Sequence, residues 1–187
     1  MRDVALRRPP VYAMAVSLAM FAIGTLTGAI LVSFQDVFYA VARREIIRRP
    51  EIHGFAGAEV IDQGRIAEVA DQANTALRLL HTHTLGLGAL ILLATLIIAN
   101  LPMSHRLQSA MCALVSLGGI YPFGWALLAW LIPITGVEPL RNIMEWFFFV
   151  PFGGSLILGL LSAVIFLLVG WLRPKTAKRV RHDAAIN

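Results

Sequence analysis

Reading the chain for runs of apolar positions picks out four windows, 11–34, 79–101, 107–132 and 147–172. Crossing hydrocarbon takes about 20 predominantly apolar residues in a helix, because every backbone N–H and C=O must be satisfied inside the segment. All four windows meet that condition. Their apolar runs are continuous and do not alternate, which excludes a closed β-barrel. The expected fold is an all-α integral membrane protein with four transmembrane helices in a bundle. The spans leave little chain over, so 1–187 reads as a single membrane domain. A long extramembrane loop, 35–78, is expected between helices one and two, and a basic tail, 173–187, at the end.

The polar positions refine the ends of these elements. Pro9-Pro10 break any helix before the first span. That span resembles a signal peptide only superficially, since its apolar run is longer than the roughly 7–15 residues of a signal h-region. Gly24 and Gly28 within it have the spacing of a close-approach motif. In the 35–78 segment, Arg43-Arg44 and Arg48-Arg49 flank Ile46-Ile47, with Phe38 and Tyr39 ahead. This pattern predicts an extension of the first helix or a helix lying in the membrane interface, ended by Pro50. His53-Gly54 and Gly57 predict a turn. Ile66, Val69, Ala70, Ala73, Leu77 and Leu80 then recur at helical spacing. The second helix is thus expected to begin near Arg65 and to enter the membrane near Leu80, with Arg78 snorkelling at the boundary. Asn100 and Pro102 stop that helix, and Ser104 is the expected N-cap of the next. Pro122 predicts a kink in the third span, either for packing or to open a cavity. Phe147, Phe148 and Phe149 form an aromatic belt at the start of the fourth.

Composition agrees with a membrane location: 58% of residues are hydrophobic and only 14% charged, with a mean hydropathy of +0.73. The net charge of +5 could suggest nucleic acid. Most basic residues flank apolar spans, however, where topology and anionic lipid account for them, and no nucleic-acid partner is expected. Lys and Arg divide nine to seven between the two sides, the larger number beside the termini. That favours both termini in the cytoplasm, in a multi-pass protein of the cell (inner) membrane. The 35–78 segment then faces outward. Cys112 is the single cysteine, which excludes an internal disulfide framework and paired-Cys metal motifs.

Chemistry has few places to reside. There is no Gly-rich phosphate loop, no His-Glu-x-x-His and no G-x-S-x-G elbow. No span carries a charge near its middle, which argues against a proton relay. His81-Thr82-His83 remains, at the front edge of the second span. Imidazole ligates haem iron, copper and zinc. Residues two apart on a helix point about 200° apart, so one regular helix cannot aim both rings at one ion. His83 shares a face with Ala73, Leu80 and Leu87. The small residues Gly86 and Gly88 leave room beside the helix for a flat macrocycle or for a close neighbour. His53, Glu138 and Glu145 are the candidate partners on the same side. Met103, Met111 and Cys112 could suggest soft-metal chemistry, but they fall on the opposite side, and methionine also serves for packing.

His-x-His near the end of a membrane helix resembles the motif by which the main subunit of haem–copper oxidases and nitric oxide reductases binds two haems from one helix. The match covers three residues. The chain lacks that subunit's dozen helices and its paired copper-ligand histidines. The resemblance implies that this spacing can serve two cofactors. Two functions are therefore expected as alternatives. One is a small integral, mainly structural subunit of a larger membrane-bound oxidase or electron-transfer complex, in contact with lipid and with other integral subunits. The other is a protein binding haem b or copper at His81 and His83, with Glu145 as a further metal ligand.

Overall fold

The computed structural model describes residues 6–172. The expected basic tail, 173–187, lies outside them, as do the first five residues. All regular elements among the described residues are helical. They are α1 (Val11–Ser33), α2 (Gln35–Ile47), α3 (Pro50–His53), α4 (Glu59–Ala99), α5 (His105–Leu117), α6 (Phe123–Thr135), α7 (Glu138–Met144) and α8 (Gly154–Leu172). A 3-10 turn, Gly118–Ile120, links α5 to α6, and a π-helical stretch, Glu145–Gly153, joins α7 to α8. Four continuous stretches are long and apolar enough to cross a membrane: Val11–Ser33, Glu59–Ala99, His105–Thr135 and Glu138–Gly170. Each expected window falls on one of them.

The main departure lies between the first two spans, where the sequence predicts a long loop over 35–78. The structure has helix over most of that segment. α4 runs unbroken for 41 residues, roughly 60 Å at the helical rise and about twice the thickness of bilayer hydrocarbon. It contains no proline to interrupt it. Ile66, Val69, Ala70 and Ala73 bury against Ala42 and Ile46 of α2 and against Leu128, Ala129 and Ile132 of α6. Burying this apolar stripe ties the first half of α4 into the fold. Gly54, at φ 65°, ends α3 in the left-handed region. Asp62 Oδ1 then accepts the Ala56 N–H at 2.8 Å and anchors the start of α4.

α1 packs along the other end of α4. Its buried residues, Ala13, Ser17, Met20, Gly24 and Thr27, alternate by four and three and make a single narrow seam. Ser17 Oγ donates to the Gly88 carbonyl at 2.7 Å. Asn100 exchanges two hydrogen bonds with the Arg7 backbone, at 2.9 and 3.1 Å, and so fixes the N-terminal arm to the end of α4. Ser104 caps α5 by accepting from the Leu107 N–H. α5 bears on α8 at a second apolar cluster that includes Ile91, Ile98, Met111, Cys112, Val115 and Ala163. In the third span the α-helix gives way to the 3-10 turn and to a turn at Tyr121-Pro122, where the sequence predicts a kink.

Candidate functional site

The two histidines of His81-Thr82-His83 serve opposite sides of α4, as 200° of helix requires. His81 faces α1. Its Nδ1 lies 2.7 Å from the Gly24 carbonyl oxygen. A carbonyl only accepts, so Nδ1 is the donor in this contact. A Cβ added at Gly28 would lie 2.6 Å from His81 Cε1, and one added at Gly24 would lie 2.7 Å from Leu85 and 2.8 Å from Thr84 Oγ1. The two glycines therefore open the space that the ring and the adjoining turn of α4 occupy. Gly88 approaches Ser17 and Phe21 of α1 in the same way. The room beside the helix at Gly88 is thus taken by a close neighbour, while Gly86 meets nothing within 4 Å.

His83 faces α6. Its ring stacks at 10° on Trp125, with centroids 6.0 Å apart, and meets Tyr121 edge-on at 5.2 Å. Phe149 closes the group, 5.2 Å from Tyr121 and 4.7 Å from Trp125. Trp125 Nε1–H donates to the Tyr121 hydroxyl at 3.2 Å. Local sequence explains the assembly. The turn at Tyr121-Pro122, between the 3-10 turn and α6, sets Tyr121 four residues before Trp125 of α6, so both rings meet His83. Gly124 lets the π-helical stretch approach, since a Cβ there would lie 2.6 Å from Phe149 Cε1. Pro151 lies within the same π-helical stretch. Among the described residues no hydrogen-bond partner is found for the His83 ring nitrogens.

The remaining candidates are dispersed. Glu145 is exposed and lines a cleft of about 660 Å³ between α4, α6, α7 and the π-helical stretch, together with Asp71, Arg141 and Trp125. Glu138 is exposed at the start of α7. His53 is 2% exposed, and its Nε2–H donates to the Pro133 carbonyl at 3.0 Å, capping the end of α6. Met111 and Cys112 belong to the buried apolar cluster around Ile91 and Ile98, and Met103 packs against it. Among the described residues no three His, Cys, Asp or Glu side chains stand together as a metal site.

Two features escaped the sequence reading. The first is the Tyr121–Trp125–Phe149 group, which the four-residue spacing of two aromatics beside Pro122 could have suggested. The second is Asn74, 0% exposed, for whose side-chain polar atoms no hydrogen-bond partner meets the geometric limits among the described residues. The signal for it was local: a polar residue that interrupts an otherwise apolar stripe. Nearby, burial and then the Asp71 carboxylate push the Tyr39 hydroxyl above its usual pKa. Its O–H donates to Asp71 Oδ1 at 3.3 Å. Comparison with protein-family profiles, with curated proteins and with solved structures returns no match to this chain.

Proposed function

We infer that the chain is a small integral subunit of a larger membrane-bound oxidase or electron-transfer complex, with a structural role. The observation that carries this reading is the use made of the two histidines. His81 is hydrogen-bonded to Gly24 and seated against Gly28, and His83 is stacked on Trp125. Both act in helix–helix packing, on α1 and on α6. On this reading the four spans form a bundle in the inner membrane with both termini cytoplasmic, as the distribution of Lys and Arg favours. α8 offers its surface to lipid and to neighbouring subunits. Within it Gly159 and Ala163 are buried, while Ile157, Leu158 and Leu161 are 57%, 60% and 55% exposed.

Extraction of a tagged chain in mild detergent, followed by native electrophoresis, tests this reading. Co-migration with a fixed set of integral proteins that carry redox cofactors is expected. A chain that migrates alone from its native membrane would sink the proposal. The alternative, a haem b or copper protein with its site at His81 and His83, draws on one observation: among the described residues the ring nitrogens of His83 have no hydrogen-bond partner although the ring is half-buried.

A further inference from the structure

Both walls of the cleft change character in the same direction. On α4, Asp71, Gln72 and Thr75 are followed by Ala76 and Leu79; on the opposite wall, Arg141 and Glu145 are followed by Phe149 and Val150. The two walls are held at a common level, because Phe149 packs on Trp125 and Trp125 stacks on His83, one turn beyond Leu79. The polar ends therefore coincide at one mouth, and the apolar ends coincide in depth, over a floor of Leu128 and Ile132. The mouth carries two carboxylates and one guanidinium. All three residues are exposed, and among the described residues none of them makes an ion pair.

We propose that this cleft binds one molecule of the zwitterionic phospholipid phosphatidylethanolamine. Charge complementarity identifies the headgroup. The planar guanidinium of Arg141 matches a phosphate, to which it can donate two parallel hydrogen bonds. A primary ammonium has three N–H donors to share between the carboxylates of Asp71 and Glu145. Arg78 stands exposed about two turns from Asp71 on the same face of α4, so positive and negative side chains balance around the mouth, which suits a zwitterionic headgroup. A choline headgroup has no N–H to give. A volume of about 660 Å³ holds the headgroup, the glycerol and the first part of one acyl chain, which continues over Leu79 and Val150 into the bilayer. The charged part of α4 ends at Arg78 and its apolar run begins at Leu79, so the headgroup and the chain each meet their own medium. The assignment is independent of whether the chain is a subunit of a larger complex.

Native mass spectrometry of the purified, delipidated chain tests the assignment, with phosphatidylethanolamine, phosphatidylcholine and phosphatidylglycerol added one at a time. One retained phosphatidylethanolamine is expected, held more tightly than either of the others. Arg141→Gln and Glu145→Gln should each weaken it about tenfold or more, the loss of one charge-assisted contact. Arg106→Gln, exposed at the start of α5 and away from the cleft, should leave it unchanged. Lipid-free thermal melting separates misfolding from lost binding, and both cleft variants should melt as wild type because their side chains are exposed. Phosphatidylglycerol or phosphatidylcholine held as tightly, or undiminished retention in both cleft variants, overturns the assignment.

Discussion

The ring of His81 occupies the space that a side chain at Gly28 would need: a Cβ there would stand 2.6 Å from Cε1. The ring cannot simply swing away, because its Nδ1 is bonded to the Gly24 carbonyl. Gly28→Ala should therefore destabilise the α1–α4 contact by about 1–3 kcal/mol, as overpacking does. In a His81→Ala background the same substitution should cost much less, since the clashing ring is gone. Denaturation of the four proteins in mixed micelles measures the cycle. Equal costs in both backgrounds would mean that Gly28 and His81 do not meet.

His53 is a second test of structural histidine. It is buried, and it supplies the donor for the carbonyl of Pro133 at the end of α6. His53→Leu keeps apolar volume and removes the donor, leaving that carbonyl unpaired. A loss of about 1–3 kcal/mol is expected, readable as a lowered thermal midpoint in detergent. No change would show that water or another group satisfies Pro133.

Helix α2, which lies outside the four candidate spans, predicts a response to acid. Hydrogen bonding from Arg49, with Arg48 adding to it, holds the Glu45 carboxyl below its ordinary 4.5. A depressed folded pKa contributes stability that is present above the unfolded pKa and is lost as pH falls through the folded one. Wild type should thus be more stable than Glu45→Gln at neutral pH. The difference should shrink as pH drops below about 4.5. A gap that widens in acid would have the wrong sign.

The charge count makes a prediction about topology. Gln63 and His105 are both exposed, and the native Cys112 is buried. A cysteine placed at Gln63 should react with an impermeant thiol reagent in intact cells, and one at His105 should be protected. The opposite labelling would put the cleft on the cytoplasmic side.

Much of the architecture was legible because membrane spans depend on local apolarity alone. The four windows, the Ser104 cap and the break in the α-helix at Pro122 all follow from signals within a few residues. The 35–78 segment was less legible. Its helical phases at Ala42 and Ile46, and at Ile66, Val69, Ala70 and Ala73, show in the sequence, but the fact that they bury each other is a long-range matter. The opposed directions of His81 and His83 were readable from helix geometry. Their partners were not. Gly24 is 57 residues from His81 along the chain, and Trp125 meets His83 only because the third span returns beside α4. The cleft was invisible for the same reason, being made by Asp71 and Arg141 from segments far apart in sequence.

The visible absorption spectrum of the purified chain, oxidised and reduced, with metal analysis of the same sample, tests the structural role of His81 and His83 most directly. With both rings engaged in packing, no Soret band and no stoichiometric metal are expected, and His83→Ala should have the same spectrum as wild type. A reducible Soret band or a bound metal that disappears in His83→Ala would contradict the structural role and make His83 a ligand.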